Sequence, residues 1–376
     1  MATKVEGLIG DKYELSHVLG RGAMGVVYAA KNSRTGRRVA IKSLQVRGVL
    51  DPQDPDLLRF EQEARIAGSL ESQHIAQVLD IERDPATGLP FLVMELLRGE
   101  DLQALLDRVG PLPVDVALRI ATQACVGLDA AHGAGVVHRD IKPGNLFLAR
   151  REGGEVVVKI LDFGIAKIRR LPPDASASAA SGVLSAPQES MTETGQLLGS
   201  PLYMSPEQVA GAKDIDARSD VFSLGVTLYA MLSGKAPHAG IKSFAELLQH
   251  LETTPPPPLG EVAPWVPPEV AALVERATRI DRAQRIPSVA ALLEAMAPFL
   301  SGGTALREDM LVGSGKVPSQ VVNSPAEVAP KVVAEKAIDT KSAPSNENGP
   351  SWRWLLVVSL AIAVVTAVAA AAWLGR

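Results

Sequence analysis

The sequence is poor in cysteine, with one residue among 376. A single cysteine excludes a disulfide within the chain, and it also excludes a zinc site built from several cysteines. The residue, Cys125, lies in the short apolar run 124–128, so we expect a small buried hydrophobic side chain there. Cross-links of these two kinds therefore do not hold the fold together.

The sequence also lacks an excess of basic residues and an export signal. Its 38 Lys and Arg stand against 42 Asp and Glu, for a formal net charge of −4. This balance gives no reason to expect nucleic acid as a partner. Residues 1–15 contain no sustained apolar run, so the sequence does not begin with a cleaved signal peptide.

Two patterns of apolar residues divide most of the chain, whose length allows more than one domain. Between residues 13 and 96, short β-rich runs separated by glycine-containing turns predict strands, with one amphipathic helix over 56–70. After Gly99, longer segments with helical spacing follow, among them 114–132 and the strongly apolar 221–232. We therefore predict an α+β fold with a small strand-rich part followed by a larger helical part.

The stretch His138-Arg139-Asp140-Ile141-Lys142-Pro143-Gly144-Asn145 concentrates chemically active side chains. Within six residues it provides a carboxylate, an ammonium group and a carboxamide. The acid can accept a proton from a hydroxyl, the cation can neutralise phosphate charge, and the amide oxygen can bind a hard metal ion. This combination favours phosphoryl-transfer chemistry.

Three glycines, Gly20, Gly22 and Gly25, lie between the first long predicted strands and are followed by Val27 in the pattern G-x-G-x-x-G-x-V. Glycine lets backbone N–H groups approach phosphate oxygens without a Cβ in the way. The spacing alone is weak evidence. Its place between two strands disfavours a dinucleotide fold, where a helix follows, and favours a flap over nucleotide phosphates.

These segments, taken with others, resemble the motifs of protein kinases in the family's order. The further matches are Val39-Ala40-Ile41-Lys42, Asp162-Phe163-Gly164 and Ser205-Pro206-Glu207, the last with Ser where the family has Ala. Lys142-Pro143-Gly144-Asn145 is similar to serine/threonine kinases, and the chain most resembles the eukaryotic-like kinases of bacterial signalling. The resemblance implies a bilobal kinase domain over 13–298, with an N-lobe at 13–94, a hinge at 95–98 and a C-lobe at 99–298.

The resemblance implies that ATP binds between the two lobes. Met94 would guard the back of the adenine pocket, while the carbonyl of Glu95 and the backbone of Leu97 would hydrogen-bond the base. Three apolar side chains would sandwich the ring: Val27, Ala40 and Leu146. These positions also suit an ordinary core, and the two interpretations are compatible.

Lys42 would hold the α- and β-phosphates and would need an acidic partner from the following helix. By the family's placement the partner is Glu63, with Glu61 as the alternative. A solvated helix face is the non-functional interpretation for either glutamate.

The same resemblance assigns the transfer step. Asp162 and Asn145 would bind Mg²⁺, Asp140 would orient and deprotonate the acceptor hydroxyl of a protein serine or threonine, and Lys142 would contact the γ-phosphate. In the larger lobe, three further residues would be structural: Glu207 paired with Arg285, and Asp220 bracing the catalytic loop. Ser200 stands where a threonine is usual.

Arg139 precedes the catalytic aspartate, and in related kinases such an arginine receives a phosphate on the activation segment. We predict autophosphorylation at Thr192 or Thr194. The segment from Asp162 to Glu207 is longer than expected, and its insert, about 172–188, is either a docking site or unstructured filler.

The C-terminal part predicts a membrane anchor. Residues 299–353 lack periodicity and predict a flexible linker. The 21 residues 354–374 carry no charge and are long enough for one transmembrane helix, with tryptophans at its ends. The chain would then be a single-pass protein of the cell membrane with its kinase domain in the cytoplasm, and the alanine-rich run 367–372 could support a homodimer.

Two other functions compete with an active kinase. A pseudokinase scaffold usually lacks one of the key groups, and all four are present: Lys42, Asp140, Asn145 and Asp162. A small-molecule phosphotransferase of similar fold is disfavoured by the intact glycine loop and by the 205–207 segment, which in kinases builds a peptide-docking surface.

Overall fold

We describe the protein from a computed structural model, which defines residues 7–22, 25–44, 55–162, 201–300 and 302–312. For Gly22, residues 55–59 and Glu63, only the backbone is described. The chain divides into two units, Met1–Gln320 and Val321–Arg376, and the second lies outside the described residues. Within the described ranges, no helix is both long enough and apolar enough to cross a bilayer. The predicted span 354–374 falls outside these ranges.

The strand-rich part is an antiparallel sheet whose strands are ordered β1-β2-β3-β4-β6-β5. Its strands are β1 (Leu8–Ile9), β2 (Tyr13–Gly22), β3 (Gly25–Asn32), β4 (Arg38–Leu44), β5 (Val78–Arg83) and β6 (Pro90–Glu95). The turn from β3 to β4 forms because the Asn32 side chain accepts hydrogen bonds from the N–H groups of Arg34 and Thr35, both at 3.0 Å. The strands predicted between residues 13 and 96 are confirmed.

The one helix of this part, α1 (Pro55–Ser69), packs on the sheet. Phe60 and Ala64 lie one turn apart, are both buried, and pack with Leu92 of β6. This is the apolar face expected from the helical spacing. The helix begins and ends one residue before the predicted 56–70.

The larger part is helical. Its helices are α2 (Leu102–Val109), α3 (Val114–Gly133), α4 (Pro206–Val209), α5 (Arg218–Ser233), α6 (Phe244–Thr253), α7 (Leu259–Val262), α8 (Pro268–Ala277) and α9 (Val289–Met296). Helix α5 is central, since every residue from 219 to 232 is buried. A Cβ at Gly225 would lie 2.9 Å from the Ala277 Cβ, so glycine is needed for the approach of α8. Cys125 is buried as predicted.

A second sheet, in the order β10-β9-β8-β7, lies in this larger part. Its strands are β7 (Gly99–Asp101), β8 (Leu146–Arg150), β9 (Glu155–Ile160) and β10 (Leu306–Arg307). Strand β9 is buried from Val156 to Ile160 and ends two residues before Asp162. Strand β10 belongs to residues 302–312, which we call the C-terminal strap.

The strap shows that the flexible linker predicted over 299–353 is wrong for its first residues. Leu306 is fully buried, and its strand pairs with the edge of β9. Two buried side chains of α3 also bind the strap, because Arg119 donates to the Ala305 carbonyl at 2.6 Å and Gln123 donates to the Thr304 carbonyl at 3.0 Å. The sequence of the strap lacks periodicity because each of these contacts is tertiary.

Candidate active site

Lys42 and Asp162 join the two parts of the fold. Lys42 lies on β4 and Asp162 follows β9, and the Lys42 Nζ lies 2.7 Å from the Asp162 Oδ1. Burial acts to raise the pKa of Asp162, but the nearby ammonium lowers it by more, so the pKa lies below its usual range. Asp162 has a left-handed backbone with φ of 45°. The structure thus brings together two groups that lie 120 residues apart in the chain.

Asp140, Lys142 and Asn145 converge on one carboxylate oxygen. The Asp140 Oδ2 accepts hydrogen bonds from the Lys142 Nζ and from the Asn145 Nδ2, both at 2.9 Å. The same amide nitrogen donates to the Asp140 carbonyl at 2.7 Å. A 3₁₀ turn over Pro143–Asn145 folds the chain back and permits these contacts. Because the Asn145 nitrogen faces Asp140, its amide oxygen is directed elsewhere.

Leu161, the residue before Asp162, is hydrogen-bonded to this loop through its backbone. Its N–H donates to the Asn145 carbonyl at 2.8 Å, and its carbonyl accepts from the His138 Nε2 at 2.9 Å. His138 is fully buried and its Nδ1 accepts from the Asp140 N–H at 3.2 Å. Burial lowers the pKa of His138, which keeps the ring neutral with its proton on Nε2. His138 therefore links the backbone of Leu161 to that of Asp140 through its ring.

Asp220, at the start of α5, is hydrogen-bonded to the backbone of the loop that carries Asp140. Its fully buried carboxylate accepts from the backbone N–H groups of His138 and Arg139, each at 2.8 Å. The His132 Nε2 lies 2.8 Å from the same carboxylate. The prediction that Asp220 braces the catalytic loop is confirmed.

The predicted pair of Glu207 and Arg285 is confirmed as a bidentate contact, with Nη1–Oε1 at 2.7 Å and Nη2–Oε2 at 3.0 Å. The buried guanidinium also donates to the carbonyls of Arg218, Arg279 and Ile280. It lies over the Phe222 ring, 4.9 Å from the centroid. The pair fixes the 205–207 segment to α5 and to the loop after α8.

The predicted adenine pocket has a mixed lining. Leu146 and Ala40 are buried, while Val27, Met94 and Leu97 are half-buried.

Gly25 pairs with Leu44, and a Cβ there would lie 2.0 Å from the Ser43 carbonyl oxygen. The close approach of β4 therefore requires this glycine, whatever its role toward phosphate. Gly20 and Gly22 lie in β2, and a Cβ at Gly20 would meet nothing within 4 Å.

Of the two glutamates predicted as partners of Lys42, the structure describes the side chain of only one. The Glu63 side chain lies outside the described residues, so its pairing with Lys42 stays a prediction. Glu61 is paired with Arg83 and lies 3.9 Å from Arg65, which disfavours it as the partner of Lys42.

Other predicted residues also lie outside the described ranges: Phe163, Gly164, Thr192, Thr194 and Ser200.

Sequence reasoning missed two residues around the site. Lys159, buried within β9, binds the carboxylate of Glu95 in the predicted hinge. Gln208 binds the Arg139 carbonyl at 2.8 Å. A lysine inside an otherwise apolar strand was the available signal for Lys159, whereas nothing in the sequence around Gln208 points to its contact.

Comparison with known proteins identifies the family. The family model described as protein kinase domain matches residues 13–296. The serine/threonine-protein kinase PknA of Mycobacterium tuberculosis is 35% identical over 350 residues, covering 92% of this chain and 75% of that protein. PknA of Corynebacterium glutamicum is 36% identical over 291 residues, covering 76% of this chain and 55% of that protein.

A solved structure shows the same fold. The crystal structure of the Mycobacterium tuberculosis PknI kinase domain matches with a TM-score of 0.57 and 26% identity, over 79% of this chain and 99% of that one. The chain spans about half or less of the length of several relatives, 55%, 37% and 38% for three of them. The chain therefore belongs to the protein kinase family and, within it, to the bacterial serine/threonine protein kinases.

Proposed function

We propose that the chain is an active kinase that transfers the γ-phosphate of ATP to serine and threonine hydroxyls of proteins in bacterial signalling. The observation that carries the proposal is the convergence of Lys42, Asp140, Lys142, Asn145 and Asp162 through the backbone of Leu161. The contacts of Leu161 with Asn145 and His138 support a single site. Such a site works by positioning and by neutralising charge.

Asp140 is the residue we assign to the acceptor hydroxyl. Its carboxylate is held by Lys142 and Asn145, so its orientation does not depend on the substrate. A carboxylate held in this way suits a group that orients a hydroxyl and accepts its proton during the transfer. Lys142, on the same oxygen, is placed to reach a phosphate bound beside the hydroxyl.

Lys42 and Asp162 are assigned to the nucleotide. Their contact positions a cation and a carboxylate at the boundary between the two parts of the fold. Between these parts, Val27, Ala40 and Leu146 would enclose the adenine.

Asp162 and Asn145 are suited to Mg²⁺. Mg²⁺ prefers oxygen ligands and usually takes one or two from the protein, completing its shell with phosphates and water. The Asp162 carboxylate contacts Lys42 through Oδ1, and the Asn145 amide oxygen is the polar atom of that amide not turned to Asp140. When bound, Mg²⁺ would neutralise the charge of the phosphates.

Mutation of the two key charges tests the proposal. Asp140→Asn and Lys42→Met should each lower phosphoryl transfer to a protein substrate by about 100-fold or more. Asp129→Asn, an exposed carboxylate on α3, is the matched control and should keep full activity. Full activity in both purified variants would refute the assignment. A wild-type protein that is stabilised by ATP and Mg²⁺ but transfers no phosphate would be a pseudokinase scaffold.

Regulation by autophosphorylation is a finer part of the proposal. Within the described residues, the buried Arg139 Nε has no hydrogen-bond partner. A phosphate on Thr192 or Thr194 carries about −1.5 to −2 charge and would give this guanidinium an acceptor. This supports Arg139 as the receiver of the phosphate.

Membrane attachment is the remaining part. The uncharged run 354–374 supports a single-pass anchor, with the kinase domain in the cytoplasm where ATP is available. Membrane fractionation of cells that express the chain, with and without residues 354–374, tests it. Recovery of both forms in the supernatant would contradict the anchor. A homodimer through 367–372 stays a prediction.

A further inference from the structure

Arg139, directly before Asp140, has a strained backbone. Its φ of 65° lies in the left-handed region, although it is not glycine. Such a conformation persists where surrounding groups hold the backbone in place. The question is which groups hold it, since a change here would rotate the next residue, Asp140.

Both polar groups of the Arg139 backbone are hydrogen-bonded. Its N–H donates to the Asp220 Oδ1 at 2.8 Å, and its carbonyl accepts from the Gln208 Nε2 at 2.8 Å. The next N–H, that of Asp140, donates to the His138 Nδ1 at 3.2 Å. The peptide plane between Arg139 and Asp140 is therefore held at its oxygen by Gln208 and at its nitrogen by His138.

Gln208 is itself held at the other end of its amide. Its Oε1 accepts from the Ser205 N–H at 3.1 Å, from the Ser205 Oγ at 3.2 Å and from the Ser219 Oγ at 3.0 Å. Ser205 and Ser219 are fully buried, and their hydroxyls are 2.7 Å apart. Donors on one side and a carbonyl on the other determine which way the amide faces.

This arrangement needs a glutamine. One end of the side chain must accept and the other must donate, which an amide does and a carboxylate does not. A glutamate here would place a negatively charged oxygen against the Arg139 carbonyl. Leucine or alanine would leave that carbonyl, and the serine hydroxyls, with fewer partners.

We propose that Gln208 is a positioning residue for Asp140, acting through the peptide plane between Arg139 and Asp140. It joins the 205–208 segment, which is fixed to the lobe by Glu207 and Arg285, to the catalytic loop. The inference rests on the proposed role of Asp140 and deepens it, because it links the orientation of the assigned base to the 205–208 segment. Gln208 is assigned a positioning role because it would act on Asp140 through the Arg139 carbonyl.

A purely structural role is the competing explanation, since Gln208 also completes the capping box of α4. Loss of a cap alone would lower stability and leave the turnover of the folded enzyme unchanged. The matched control is Ser288→Ala, which removes the cap of α9, a hydrogen bond of 3.1 Å to the Ala291 N–H, far along the chain from the catalytic loop.

The test compares Gln208→Glu with Ser288→Ala by steady-state kinetics and thermal unfolding. For Gln208→Glu we expect kcat to fall by about 100-fold while the KM for ATP changes by less than about twofold, because the misplaced group is the assigned base. For Ser288→Ala we expect a lower Tm and a kcat within about twofold of wild type. In an Asp140→Asn background, Gln208→Glu should cause at most about threefold further loss, since both changes act on one group.

A wild-type kcat in Gln208→Glu would overturn the proposal, and so would losses that are fully additive with Asp140→Asn. If Gln208→Glu does not fold, Gln208→Ala repeats the test without an added charge, and failure of both to fold would assign the side chain to folding and refute positioning. The two failures can be told apart. Full activity of Asp140→Asn would refute the proposed role of Asp140. An inactive Asp140→Asn together with a fully active Gln208→Glu would refute only the positioning role of Gln208.

Discussion

Lys159 and Glu95 form a buried ion pair that joins β9 to the end of β6. The Lys159 side chain is 5% exposed, and its ammonium also donates to the Ile75 carbonyl at 3.2 Å. Glu95 accepts a second hydrogen bond, from the Gln77 N–H at 2.9 Å. The glutamate side chain is thus committed to the strand that leads to Asp162. The Glu95 N–H donates to the Gln77 carbonyl at 3.0 Å, so the proposed contact with adenine concerns the Glu95 carbonyl.

Removing one member of this pair should destabilise the fold. For Lys159→Met we expect the free energy of unfolding to fall by about 2–3 kcal/mol, because Glu95 keeps its charge without its partner while retaining some solvent access. Urea denaturation measures the loss. The double variant Lys159→Met, Glu95→Gln should recover part of it, since no uncompensated charge remains. A single variant within about 0.5 kcal/mol of wild type would show that the pair does not contribute.

The Glu207–Arg285 contact predicts a strong difference between two arginines. Arg285→Lys should lower the free energy of unfolding by about 3 kcal/mol, because lysine cannot reproduce the bidentate contact and the three carbonyl bonds. The control is Arg279→Lys, whose exposed pair with Glu275 spans one helical turn. That change should cost less than about 0.5 kcal/mol. Equal losses at the two positions would contradict the prediction.

The C-terminal strap should contribute to stability. Leu306→Ala removes a fully buried side chain, and we expect a loss of about 2–4 kcal/mol in the free energy of unfolding. Val312→Ala is the control because Val312 is 67% exposed, so a change within about 0.5 kcal/mol is expected. Chemical denaturation of residues 1–320 with each substitution measures both. A strap that does not hold in solution would make the two variants alike.

Three histidines, two buried and one half-buried, predict a loss of stability in acid. Burial lowers the pKa of His74, His138 and His238 below the ordinary value of 6.5. The unfolded chain then binds more protons than the folded one as the pH falls through about 6.5, so the free energy of unfolding decreases below that pH and is restored above it.

His238→Asn tests one of these contributions. Asparagine tolerates the left-handed backbone at this position, where φ is 61°. We expect the variant to lose less stability than wild type between pH 7.5 and 5.5, measured by denaturation at each pH. An unchanged pH dependence would show that His238 titrates as it does in the unfolded chain.

Autophosphorylation predicts a defined mass change. Incubation with ATP and Mg²⁺ should add phosphate between residues 166 and 199, at Thr192 or Thr194, as read by intact mass and peptide mapping. Replacement of both threonines by alanine should lower the rate of substrate phosphorylation, because Arg139 loses its acceptor. Asp140→Asn, which should add no phosphate, is the control. Absence of phosphate from this segment in the wild type would count against the prediction.

The amino-acid sequence alone was sufficient for the parts of this protein that depend on local patterns. Apolar spacing placed α1, α3 and the strands within one to a few residues, because burial of one face imposes its period on the chain. Asp140 was singled out because a carboxylate, an ammonium group and a carboxamide lie within six residues, whereas Asp162 was singled out by resemblance to a kinase motif. The pairs of Asp220 with the catalytic loop and of Glu207 with Arg285 came from resemblance, and the structure shows both.

Only the tertiary structure decided the contacts that join distant segments. The backbone of Leu161, next to Asp162, is hydrogen-bonded to Asn145 and His138, and no pattern of side chains predicts such a contact. The strap has too few apolar residues to show a period. It nevertheless pairs with β9, because the edge of that strand offers backbone N–H and C=O groups to a further strand. In the sequence, Gln208 and Lys159 are ordinary polar residues. The fold places Gln208 beside the carbonyl of Arg139, a residue with a left-handed backbone, and Lys159 beside the carboxylate of Glu95. A hydrogen bond depends on where two groups lie in space, and the chain order of the groups does not contain that information.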